Sequence, residues 1–424
     1  MRLEELREGL RCGRYREALA RVYGDDIARQ EDRLLALCDD FAERFAAYAE
    51  HVAVFSAPGR SEIGGNHTDH NHGKVLACGI NLDVVAIAAK TDEPRVLLKS
   101  RGYPLNEVEL DALTPVESEL GHSNAMIRGI CAGMRQRGHA VGGFCAVTTS
   151  EVLGGSGLSS SAAFEVLVCT ILNEYYNEGK LRPLELAKIS QYAENIFVGK
   201  PSGLLDQTAC AVGGFVQIDF EDTEAPVVSP VAYDFTQSGH ALCIVDTGGS
   251  HADLTDDYAA VRREMEAVAG VLGKRVLRET SRRELLHYLP MVREQAGERA
   301  ALRALHFFAE NERVEAQAAA LEHGDFAAFL RLIKQSGQSS FMYNQNVFTP
   351  KQAEQPVALA LGLSETILGA RGAWRVHGGG FAGTIQAFVP LDMLEEYRQA
   401  IESVFGPGSC YVLRVRECGG VRVL

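Results

Sequence analysis

The chain has 424 residues, 46% of them hydrophobic and 23% charged, with a formal net charge of -14. This composition excludes disordered and collagen-like classes, and the acidic balance excludes a general nucleic-acid surface, which needs a concentrated basic field. The length exceeds what one core usually organises, so two closely packed globular domains are expected.

Helical spacing at Leu34, Leu35, Cys38, Phe41, Phe45 and Tyr48, uninterrupted by Pro, predicts a helical lead-in over residues 1–51. A β-prone run at 52–55 is expected to stop at Ala57-Pro58-Gly59, with further strands at 82–89 and 95–98. Residues 123–137 read as a helix, 143–150 as a strand, and 162–176 as a long apolar helix opened by serines. Another helix is expected at 183–197, then the glycine-containing segment 199–206 and a strand at 215–220. The acidic, Pro-containing stretch 221–230 looks like a connector, which divides the chain into 1–51, 52–225 and 226–424. Beyond it come a strand at 241–247, a helix at 257–272, a largely helical region at 282–337 and a Gly-rich turn between Trp374 and Pro390.

No apolar run approaches the roughly 20 residues that cross a bilayer. Residues 1–24 mix charges with Leu and Ala and lack the apolar core of a secretory leader, so a cytoplasmic location is expected. Ten scattered cysteines without a Cys-x-x-Cys pair predict reduced, mostly buried thiols.

Gly154, Gly155, Ser156, Gly157 and Leu158 precede Ser159, Ser160 and Ser161 at the start of a predicted helix. Glycines let backbone N–H groups curl inward, and the helix adds its positive dipole end, so a polyphosphate can be cradled without many lysines. The bland reading is an ordinary loop with helix-capping serines. This segment lacks a terminal Gly-Lys-Ser/Thr and is not Gly-x-Gly-x-x-Gly, so those two phosphate-binding folds lose support.

The turn around Pro58-Gly59-Arg60 and 64–73 is dense in polar groups, among them Asn66, His67 and Asp69, and suits a polyol, whose hydroxyls lose water on binding. Its three histidines also fit a structural zinc site, and a solvated turn is the commoner outcome. Glu194 and Asp206 are two separated carboxylates, suited to holding Mg²⁺ and accepting a hydroxyl proton, with Arg60 as a cation for developing charge. The run His377-Gly378-Gly379-Gly380 could close over phosphate; as an esterase oxyanion loop it would need a later Gly-x-Ser-x-Gly, which the chain lacks.

Three segments together resemble the signatures of the galactokinases and the wider GHMP family of homoserine, mevalonate and phosphomevalonate kinases. They are Pro58-Gly59-Arg60 with His67-Thr68-Asp69, Gly157-Leu158-Ser159-Ser160-Ser161-Ala162, and Gly378-Gly379-Gly380-Phe381-Ala382-Gly383. The resemblance implies an α+β, two-domain fold with an N-terminal α/β domain, a C-terminal α+β domain and the active site between them. It implies phosphoryl transfer from ATP, with Mg²⁺, to a small-molecule sugar, galactose at its C1 hydroxyl; no protein partner is inferred. It further implies Asp206 as the catalytic carboxylate beside Arg60, Ser161 and Glu194 as metal ligands, and His67, Asp69, Gly203 and Tyr258 as sugar contacts. The usual signature has Asn two residues after the Arg, Glu before the His and Tyr after the Asp; here stand Glu62, Asn66 and His70. Asn66 leaves room for a related sugar or sugar acid such as galacturonate, and a non-catalytic sugar sensor is the alternative from another class.

Overall fold

The computed structural model describes residues 1–152, 157–249, 254–349 and 353–424. The lead-in folds as helices α1 (Leu3–Arg11), α2 (Arg16–Tyr23) and α3 (Ile27–Phe45). Then follow β1 (Val52–Gly64), β2 (Lys74–Lys90), β3 (Arg95–Ser100), β4 (Leu105–Glu109), α4 (Ser123–Gln136) and β5 (Phe144–Ser150). Next come α5 (Ser160–Tyr176), α6 (Pro183–Tyr192), α7 (Leu205–Val212), β6 (Phe215–Asp219) and β7 (Val227–Val231). The rest comprises β8 (His240–Asp246), α8 (Thr255–Val271), α9 (Arg282–His287), α10 (Leu289–Gln295), α11 (Glu298–Glu322), α12 (Phe326–Ser339) and α13 (Pro356–Leu368). Strands β9 (Ala373–Val376) and β10 (Thr384–Pro390), helix α14 (Leu394–Phe405), and strands β11 (Cys410–Leu413) and β12 (Val421–Arg422) complete it.

Eight strands form the first sheet, in order β12-β1-β2-β5-β3-β4, with the β6-β7 hairpin joined to β2; four form the second, β11-β8-β10-β9. Strand β2 explains how the first sheet is buried. Its residues alternate between faces, as strand geometry requires: Val84, Ala86 and Ala88 join the main core, whereas Val85, Ile87 and Ala89 pack under α1–α3 with Leu6, Leu37 and Phe41. A sheet covered on both sides reads as a continuous apolar run, which is what Val84–Ala89 is in sequence. The helical lead-in is therefore one wall of the sheet's core. Leu6, Leu37 and Phe41 are wholly buried there, each contributing about 1.5–3 kcal/mol of burial.

Three expectations change. Strand β1 does not end at Pro58; it runs on to Gly64, with its register against β2 shifting between Pro58 and Arg60 and again between Glu62 and Gly64. A bulge is where a strand tolerates a proline, and this one carries Arg60 toward the α5 side. The stretch 221–230 is not a connector, because β7 pairs antiparallel with β6. Finally, the chain end returns to the first sheet, where β12 pairs with β1.

No helix among the described residues is long and apolar enough to cross a membrane. Eight of the ten cysteines are buried, Cys12 is exposed and Cys418 is half-buried; all are free thiols.

Candidate active site

The bulge in β1 brings Arg60 against the start of α5. Gly59 makes that approach possible, since a Cβ there would lie 2.7 Å from the Leu158 carbonyl oxygen. The Arg60 amide donates to that same oxygen at 3.1 Å, and its guanidinium donates to the Gly157 carbonyl. The guanidinium also holds Asp206, in the first turn of α7, with Nε and Nη2 both 2.8 Å from Oδ1. Burial pulls the Arg60 pKa down, but the Asp206 charge and hydrogen bond outweigh it and leave the pKa raised, so the cation persists. Ser159 occupies the N-cap of α5 in the left-handed region (φ 61°) and does not cap the helix; its hydroxyl donates to Asp206 Oδ2 at 2.5 Å. The first and second signatures thus meet at one carboxylate. Gly154, Gly155 and Ser156 lie outside the described residues.

Glu194, in the irregular turn that follows α6, is almost wholly buried. Its Oε1 receives Lys200 Nζ at 2.8 Å and faces Ser161 Oγ at 3.5 Å, and its Oε2 accepts from Gln207 Nε2 at 2.8 Å. Gln207 also reaches Glu165 Oε2 at 3.2 Å. Glu165 is fully buried, and desolvation followed by the Glu194 charge pushes its pKa well above the ordinary carboxylate range. Its Oε1 is buried without a partner. A hydroxyl and a carboxylate are the hard oxygen donors that suit Mg²⁺, which is typically held by one or two carboxylates with phosphates and water. Among the described residues, no group of three or more His, Cys, Asp or Glu is placed to hold a metal.

A cavity of about 510 Å³ opens beside these groups, lined by His67, Asp69, His70, Gly203, Tyr258 and Arg262, among others. Leu204 also lines it, and α7 with Asp206 begins at the next residue. Three successive carbonyls of the Gly-rich turn between β9 and β10 fix its wall. Gly378 O accepts from Asn66 Nδ2 at 2.6 Å, Gly379 O from His67 Nε2 at 2.8 Å, and Gly380 O from the Tyr258 hydroxyl at 2.7 Å. A side chain at residue 380 would collide with Asn346, its Cβ falling 2.0 Å from that carbonyl oxygen, and the backbone there has φ 80°. The carbonyls of this turn organise the polar turn of the first signature. A second cavity of similar volume, lined by His139, Tyr176 and Lys180 among others, includes none of these residues.

Asn66 is corrected as a sugar contact. It is wholly buried and does not line the cavity. Its Nδ2 also donates to Glu62 Oε1 at 3.1 Å, while its Oδ1 accepts from Asn346 at 2.8 Å and Ser340 at 3.3 Å. Glu62 in turn receives the fully buried Arg375 at 2.7 Å. Two of the three departures from the usual signature are thus hydrogen-bonded to each other, one carboxylate and one amide in exchanged places.

Several residues had no signal strong enough to single them out. Glu165 lies four residues after Ser161, hence on the same helical face, and that spacing was the available clue. Lys200 stands six residues after Glu194 across the turn that follows α6, whereas Asn346 and Arg375 come from distant segments, and only the fold brings them to Asn66 and Glu62.

Two family models match the chain: "Galactokinase galactose-binding signature" over residues 39–90 and "GHMP kinases N terminal domain" over 124–214. A galactokinase from Streptomyces coelicolor is 31% identical over 386 residues, covering 90% of this chain and 96% of that protein. The galactokinase of Lactococcus lactis, solved in complex with galactose, superposes with a TM-score of 0.77 at 26% identity, covering 92% of this chain and all of that one. The mevalonate kinase of Methanococcus jannaschii shares the fold at a TM-score of 0.61 and 14% identity, over 86% of this chain and 98% of that one. With the carboxylate pair, the serine-opened helix and the sugar-signature turn assembled as described, the chain belongs to the galactokinase family of GHMP kinases.

Proposed function

We propose that this protein transfers the γ-phosphoryl group of ATP to the C1 hydroxyl of α-D-galactose, giving galactose 1-phosphate and ADP. The observation that carries this reading is Asp206, held at 2.8 Å by Arg60 and at 2.5 Å by Ser159 beside the cavity lined by His67, Asp69, Gly203 and Tyr258. The buried Arg60 guanidinium orients Asp206 as a hydrogen-bond acceptor. As the C1 oxygen forms its bond to the γ-phosphorus, the hydroxyl proton passes to Asp206. The bond to the β–γ bridging oxygen breaks and ADP leaves with that electron pair. Asp69 and His67 would hold sugar hydroxyls, and Tyr258, tethered to Gly380, would close the far wall.

Backbone amides at the start of α5 suit the triphosphate, since a helix N-terminus favours anions. Ser161 and Glu194 would hold Mg²⁺, which would offset charge on the β- and γ-phosphate oxygens. A coupled ADP-release assay with a panel of acceptors tests the proposal. Galactose-dependent ADP formation is expected, with galacturonate a poor acceptor; sugar binding without turnover would favour a sensor.

A further inference from the structure

The two carboxylate oxygens of Glu194 meet different surroundings. Oε2 accepts from the wholly buried Gln207, whose amide it shares with Glu165. Oε1 is the oxygen left for a cation, and it faces Ser161 Oγ at 3.5 Å. The Lys200 ammonium already stands there, with Nζ 2.8 Å from Oε1. The pair is asymmetric: the Glu194 side chain is 3% exposed and that of Lys200 64%. The backbone holds Lys200 in this place. Its amide donates to the Glu194 carbonyl at 3.1 Å, and Gly199 before it takes the left-handed conformation (φ 80°) that reverses the chain. Two residues later the Ser202 amide donates to Asn195 Oδ1 at 2.7 Å, and the Ser202 carbonyl accepts from Gln191 Nε2 at 3.1 Å. The segment is thus pinned to the turn that carries Glu194, while the lysine side chain reaches the carboxylate from the solvent side. Asp206, the neighbouring carboxylate, is engaged by Arg60 instead. Lys200 does not line the sugar cavity.

We propose that Lys200 is a resident counter-ion on Glu194 Oε1, which Mg²⁺ must displace to bind there, so that this lysine sets the metal concentration the protein requires. This rests on the assignment of Mg²⁺ to Glu194 and Ser161. A buried carboxylate without a cation is costly, and the ammonium supplies one when no metal is bound. The same oxygen cannot serve both, because Mg²⁺ demands close, near-octahedral contacts and two cations on one atom repel. Lysine is a replaceable partner here: a mostly exposed pair contributes little, and the long side chain regains rotamer freedom on release. Arg60, buried against Asp206, has no such exit.

Mn²⁺, which shares the oxygen preference and octahedral geometry of Mg²⁺, is the probe. Its binding to the nucleotide-free protein is titrated by electron paramagnetic resonance in wild type, Lys200→Met, Lys200→Arg and Glu194→Gln. Lys200→Met should bind Mn²⁺ about two- to fivefold more tightly, the worth of a mostly exposed ion pair. The free Mg²⁺ that gives half-maximal turnover should fall in the same direction. Lys200→Arg keeps the charge and should show no gain. Structural damage lowers metal affinity, whereas loss of a competitor raises it, so the sign of the change separates the two. Galactose affinity by calorimetry should be the same in Lys200→Met and wild type. Weaker Mn²⁺ binding in Glu194→Gln with unchanged or weaker binding in Lys200→Met would overturn the proposal and leave the metal assignment standing; a parallel gain in galactose affinity would also overturn it. If Glu194→Gln binds Mn²⁺ no less than wild type, the metal assignment fails and the proposal with it.

Discussion

Replacing Asn66 by Glu restores the residue usual in the family, yet the structure predicts damage. The new carboxylate would stand where an amide nitrogen now lies 3.1 Å from Glu62 Oε1, in a wholly buried position. At an effective dielectric of 20, two charges at that separation repel by about 5 kcal/mol. Protonating one of them instead, from an ordinary carboxyl pKa to pH 7, costs about 4 kcal/mol. The cheaper route prevails, so destabilisation of about 4 kcal/mol is expected at pH 7. Glu62→Asn alone strands the buried Arg375 without its carboxylate, a change of the kind that costs about 3–5 kcal/mol. The double exchange Glu62→Asn/Asn66→Glu again has one carboxylate and one amide, and should recover at least half of the summed loss. Urea unfolding of the four proteins gives the coupling energy, expected to be about 3.5 kcal/mol or more. The ratio of galactose to galacturonate turnover should not move, because residue 66 does not line the cavity. An Asn66→Glu protein as stable as wild type, or one with an altered sugar ratio, would refute the argument.

Asp206→Asn should keep ATP and galactose binding by calorimetry while turnover falls by roughly 10²–10⁴-fold; near-normal turnover in a folded variant would reject the assigned role. Glu194→Gln should weaken Mg²⁺ binding, read by titration of the metal against the ATP-bound protein as well as by the metal requirement for activity. Acid stability should fall early because His306 is buried neutral: Nε2 donates to Asn66 O and Nδ1 accepts from Ser339 Oγ, both at 2.8 Å. Burial depresses its pKa from 6.5 to about 4, so the unfolded chain binds the extra proton, and stability drops by about 3 kcal/mol as pH falls through that window. His306→Gln should flatten the slope of unfolding free energy between pH 6.5 and 4, and an unchanged slope would contradict it. Phe41→Ala, under the first sheet, should cost about 3–5 kcal/mol in urea unfolding, whereas a merely peripheral lead-in would make it nearly neutral.

What could be read from residues alone was local. The apolar periodicity around Phe41, the serine-opened helix and the β-prone runs declare themselves because each depends on neighbours within a few positions. Sequence alone ends β1 too early because Pro58 is a strong local breaker, whereas pairing with β2 on both sides of a bulge overrides it. The 221–230 stretch reads as a connector for a similar reason, its acidic and Pro residues masking an edge strand that only pairing with β6 creates. Among site residues, Arg60, Asp206, Ser159, Ser161 and Glu194 came from motif and order, and the structure brings them into two adjoining hydrogen-bonded groups. Asn66 could not be placed correctly, since its partners Gly378 and Asn346 lie far along the chain. The exchange with Glu62 was visible as two separate departures, and only their 3.1 Å contact shows them to be one.

The decisive measurement is phosphorus NMR of the product formed from ATP, Mg²⁺ and galactose by the wild-type protein and by Asp206→Asn. The account predicts a single sugar phosphate from the wild type, coupled to the anomeric proton and therefore carried on C1, appearing in step with ADP and nearly absent with the variant. A phosphate on another hydroxyl, or ADP formed without any sugar phosphate, would contradict it.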